Sequence, residues 1–127
     1  VKKMVVKKIT VGDTEVTFKA SAATLRLYRN AFGKDMLSEI KKMETILTKA
    51  SKLKASDQEE KQMEAFNSDF IENLAWIMAG MPNGTVEKWL EKFGSLDFII
   101  HAEEILEVWY SNLETTVQSK NVEAAEN

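Results

Sequence analysis

Cysteine is absent from this 127-residue chain, which excludes disulfide staples and thiol nucleophiles and makes an intracellular protein the expectation. Histidine occurs once, at His101. Its spacing to Glu104 resembles the Glu-x-x-His element of di-iron bundles, but those centres use that motif twice. Here it stands once, in reverse order, on the polar side of a helix, so no metal site is expected. No apolar run approaches the roughly 18 residues of a membrane span, and the first residues lack the apolar centre of a secretory signal. The chain opens at Val1 rather than at a methionine, as a trimmed or tagged protein would. Phosphate loops, nucleotide fingerprints, nucleophile elbows and zinc spacings are all missing. The adjacent pairs Glu59-Glu60 and Glu103-Glu104 diverge around a helix and cannot form a catalytic dyad. The expectation is a non-enzyme with no cofactor.

What is present is a 44% apolar chain of single-domain length, with charge divided along it. Residues 1–56 hold thirteen basic against five acidic side chains, or +8; residues 57–127 hold four against fifteen, or −11, which together restore the net −3. Either the halves fold against each other, or faces of opposite sign guide self-association or capture of a charged partner. The lysines are scattered and not interleaved with aromatics, which argues against nucleic acid as a ligand.

The apolar and β-branched runs on either side of Gly12-Asp13 predict a β-hairpin over residues 1–20, its edge protected by Lys2, Lys3, Lys7 and Lys8. Residues 21–119 read as a bundle of about five helices, so the fold class is mainly α. The first helix carries Leu25, Tyr28 and Phe32, is capped by Ser21 or Thr24, and stops at Gly33. Arg26 and Arg29 share its opposite side, either solvated or free to bind a carboxylate. Asp35 caps a second helix with Met36, Ile40, Met43, Leu47 and Ala50 in one stripe, widened by Leu37 and Ile46. The methionines at 36, 43 and 63 suit either a core or an adaptable groove.

Polar residues 49–61 predict a loop, with Ser56 or Asp57 as the next cap. Met63, Phe66, Phe70, Leu74 and Ile77 mark a third helix, with Trp76 pointing away from the stripe. The single proline, Pro82, lies in Gly80–Gly84, the clearest break in the chain. Thr85 caps a short helix bearing Val86, Trp89, Leu90 and Phe93.

The last helix is expected to run unbroken from an Ser95 cap to Val117, with Phe98, Ile99, Ala102, Ile105, Leu106, Trp109, Tyr110, Leu113 and Val117 in an arc roughly 140° wide. A single neighbour does not cover so wide a face. Phe98, Ile105 and Trp109, with Trp76 and Trp89 nearby, are therefore candidate anchors for another polypeptide, although each equally suits a core. Arg26 and Arg29 complete the candidate protein-binding set. Residues 120–127 read as a disordered tail.

Three stretches, FKASAATLRLYRNAFGKD (18–35), ENLAWIMAG (72–80) and LEVWYSNLETTVQSK (106–120), follow the N-terminal hairpin pattern in an order and spacing that resemble a family of phage tail assembly chaperones from long-tailed phages and prophages of Gram-positive bacteria. The resemblance covers about residues 9–120 and departs most at 50–62. It implies a homo-oligomer of the host cytoplasm that binds the tape measure protein, promotes polymerisation of the tail tube around it, and stays out of the mature virion. It also implies the major tail tube protein and a frameshifted longer form of the chain as further partners. A structural tail component, such as a completion or connector subunit, and a helical nucleic-acid-binding regulator are the competing readings.

Overall fold

The hairpin forms where the sequence requires it. Strand β1 (Val5–Val11) pairs antiparallel with β2 (Thr14–Ala20), the register running from Val5 opposite Ala20 to Val11 opposite Thr14. Gly12 takes φ +65° and no positive φ falls at Asp13, the pattern of a two-residue II′ turn. Alternation then puts Ile9, Val11, Val16, Phe18 and Ala20 on one face, all buried. Lys7 lies on that same face and escapes at its margin, its ammonium 3.8 Å from the Glu107 carboxylate. The computed structural model describes residues 4–50 and 69–113, the final turn of the 36–50 helix by its backbone alone.

Six helical segments follow among the described residues: α1 (Ala22–Phe32), α2 (Met36–Ala50), α3 (Asp69–Met78), α4 (Val86–Leu90), α5 (Asp97–Ile100) and α6 (residues 102–113). The protein is thus mainly α with an N-terminal hairpin. Ser21 caps α1 in a reciprocal box with Thr24, so both candidate caps act together. Gly33 ends it in the left-handed region, φ +67°. Asp35 holds the Leu37 N–H and the Ser38 hydroxyl, and Thr85 accepts from the Lys88 N–H.

Helix α3 is buried on almost every side and forms the centre. Beta strand β2, α1, α4 and α5 all lie against it. Tyr28 of α1 sets its ring 5.9 Å from Phe70, and burial raises its hydroxyl pKa to about 12.

Several expectations need correction. The long last helix is divided. It turns at His101 (φ −99°, ψ 13°), and Leu96, not Ser95, occupies the start of α5 with no side-chain cap. Phe98, Ala102 and Ile105 keep helical spacing across that turn, so sequence periodicity passes straight through the break. Leu37 is 49% exposed and does not widen the α2 stripe; among the described side chains of that helix, Met36, Ile40 and Met43 are the buried ones. Leu113, assigned to the arc, is 40% exposed, whereas Val108, not assigned to it, is buried.

The predicted loop begins too early, since α2 continues through Ala50; the rest of it at 51–61, its candidate caps Ser56 and Asp57, Met63, Phe66, the side chains of Ile46, Leu47 and Ala50, Val117 and the tail at 120–127 lie outside what is described.

Candidate protein-binding surface

The five apolar anchors expected on the surface are enclosed. Phe98 is 2% exposed, Ile105 0%, Trp109 1%, Trp76 6% and Trp89 4%. The physical reason is that they belong to a core shared with the hairpin face, α1, α2 and α3, with polar contacts at its margin. Lys7 of the hairpin reaches Glu107 on one flank of α6, and on another Tyr110 donates a 2.6 Å hydrogen bond to Glu44 of α2. Burial and the neighbouring Glu44 carboxylate both hold the Tyr110 proton well above its usual range.

The five share one hydrophobic core but not one group of stacked rings. Trp89 and Phe98 meet at 5.1 Å and share Phe93, whose ring lies 5.0 Å from the first and 4.8 Å from the second. Trp76 sits elsewhere, edge-on to Phe32 at 5.8 Å.

Trp76 and Trp109 also differ in their polar ends. The Trp76 indole donates to the Pro82 carbonyl at 2.9 Å, which fastens the Gly80–Gly84 loop. That loop holds Met81 and Asn83 at φ +55° and +62°, a conformation that non-glycine residues resist. The Trp109 indole N–H is buried without an acceptor among the described residues. Trp76→Phe is therefore expected to cost about 1 kcal/mol more than Trp109→Phe, since the first strands a partly buried carbonyl and the second removes an orphan donor. Urea titration of both variants measures the difference, and equal losses would contradict it.

Two of the clefts lined by described residues bear on the candidate residues. The first, of about 390 Å³, is lined by Ala31 and Phe32 at the end of α1, Trp76 of α3, and Gly84 to Glu87 at the start of α4. Its floor is aromatic and its rim polar. Of the five buried anchors, Trp76 lines this opening. The second, of about 470 Å³, is lined by Ala22, Leu25, Arg26, Arg29 and Asn30 of α1. Both arginines are exposed as expected, and among the described residues neither guanidinium is paired with a carboxylate.

His101 and Glu104 share a 2.9 Å hydrogen bond at the half-exposed turn between α5 and α6. Sequence reasoning missed the exposed step of Leu96 (54%) and Ile100 (70%); their exclusion from the apolar arc was the available signal. Among the described residues no helix is long and apolar enough to cross a membrane. Comparisons with protein-family models, with curated proteins and with solved structures found no match.

Proposed function

We propose that this chain is a non-catalytic phage tail assembly chaperone that binds the tape measure protein. The reading rests on the resemblance over residues 9–120. The observation that supports it physically is the aromatic cleft between α1, α3 and α4, floored by Phe32, Trp76 and Val86. An amphipathic client helix lays an apolar side chain into such a notch while its polar face meets the rim at Thr85 and Glu87. One notch holds weakly. A long helical client engages many copies, and the contacts multiply along it.

The test is co-expression with a phage tape measure protein. The soluble fraction of the client is expected to rise several-fold with the wild-type chain and to stay at its unaided level with Ala31→Glu. That substitution puts a charge into the cleft from an exposed helix position, so folding is kept. A client equally insoluble with and without the chain would overturn the proposal. Finding the chain in finished tails would favour a structural component instead.

A further inference from the structure

The arginines of α1 and the acids of α6 present opposite charge, and no ion pair joins them among the described residues. On α1, Arg26 and Arg29 project beside Leu25 and Ala22 around the 470 Å³ cleft. Across the α5–α6 junction, Ile100 stands 70% exposed, followed by the exposed Glu103, Glu104 and Glu107. Internal partners for these acids are weak. Glu107 reaches Lys7 at 3.8 Å between two well-exposed side chains, Glu104 bonds His101, and Glu103 has no ion pair among the described residues. No described ion pair joins the arginine face to the acidic edge.

The two surfaces also match in length and order. Ala22 and Arg29 lie seven positions apart on one helix, about 10 Å, and Ile100 and Glu107 lie seven positions apart across the turn at His101. Each surface begins apolar and ends charged.

We propose that the α1 cleft of one copy receives the acidic edge of α6 from a second copy, with Ala22 and Leu25 against Ile100 and with Arg26 and Arg29 against Glu103 and Glu107. The partner is another molecule of this chain because the complementary charge, the exposed apolar residue and the spacing are all present on it. Unlike surfaces meet, so the contact closes as a reciprocal dimer or repeats head to tail. Arginine forks on carboxylates give the contact direction, and the apolar step supplies the desolvated part. The proposal is independent of the client reading, and Ala31→Glu leaves this contact intact.

The experiment is sedimentation velocity on the full chain over a concentration series, at about 0.05 M and about 0.5 M salt. The wild type is expected to associate at micromolar concentration and to weaken at the higher salt. Arg26→Glu/Arg29→Glu and Glu103→Arg/Glu107→Arg each weaken association by about tenfold or more while retaining the wild-type circular dichroism spectrum. Mixing the two variants one to one restores it, because each now carries the charge the other lacks.

A strictly monomeric wild type overturns the proposal. So does association unchanged in both variants, or a mixture that fails to recover. Loss of client rescue by the arginine variant of a monomeric wild type would assign the cleft to an acidic segment of the client instead.

Discussion

Phe98→Ala is expected to cost roughly 3–5 kcal/mol of folding stability, measured by denaturant titration, and to leave the protein close to unfolding. Phe98 is 2% exposed and closes a triangle of rings with Trp89 and Phe93, with centroids 4.8 to 5.1 Å apart. Removing it deletes two aromatic contacts and leaves a void that the flanking rings cannot fill without abandoning each other. The same triangle joins α4, the Phe93 connection and α5, so the loss spreads through three segments.

A surface anchor behaves differently. Its truncation weakens a partner and leaves the unfolding midpoint nearly where it was. A stability loss below about 1 kcal/mol would return Phe98 to the surface reading and overturn its assignment to the core.

The features readable from sequence are those decided within a few residues. The Gly12-Asp13 hairpin, the Ser21 and Asp35 caps, the Gly33 stop and the Thr85 cap all depend on local hydrogen bonds or on backbone angles that one residue type permits. The exposed Arg26 and Arg29 belong with them, since helical spacing alone places them opposite Tyr28.

What could not be read was coverage. Phe98, Ile105 and Trp109 form a wide apolar arc whether one neighbour or three lie over it. The neighbours are brought in by contacts such as Tyr110 with Glu44, 66 residues apart. The turn at His101 was invisible for a related reason: the buried set resumes in phase beyond it, so hydrophobic period reports a face and not a continuous helix. The aromatic cleft shares this origin, because Phe32, Trp76 and Val86 come from three different helices.

Gly12→Ala is expected to cost about 2–3 kcal/mol, from two separable causes. Gly12 holds φ +65°, where an added Cβ is strained by about 1–2 kcal/mol whatever surrounds it. That Cβ would also lie 2.6 Å from Oδ2 of Asp97 and 3.3 Å from its Cγ, closer than the atoms can approach. The carboxylate cannot simply swing aside. Its Oδ2 accepts the Gly94 N–H at 2.8 Å, and Oδ1 would stand 3.2 Å from a Cβ at Gly94 itself. Asp97 therefore joins the hairpin turn to the α4–α5 connection, and both glycines are bare because one carboxylate occupies the space beside them.

Asp97→Ala alone forfeits the hydrogen bond, about 1 kcal/mol. In the double variant the collision has no second party, so the combined loss falls short of the sum by about 1 kcal/mol. Chemical denaturation of the four proteins measures that coupling. Strict additivity would mean that Gly12 resists substitution for its backbone angle alone and that the turn does not rest on Asp97. A shortfall of the expected size would show that the Asp97 carboxylate closes over the turn of a hairpin too small to stand in water by itself, which the buried face of Ile9, Val11, Val16, Phe18 and Ala20 holds to the helical body.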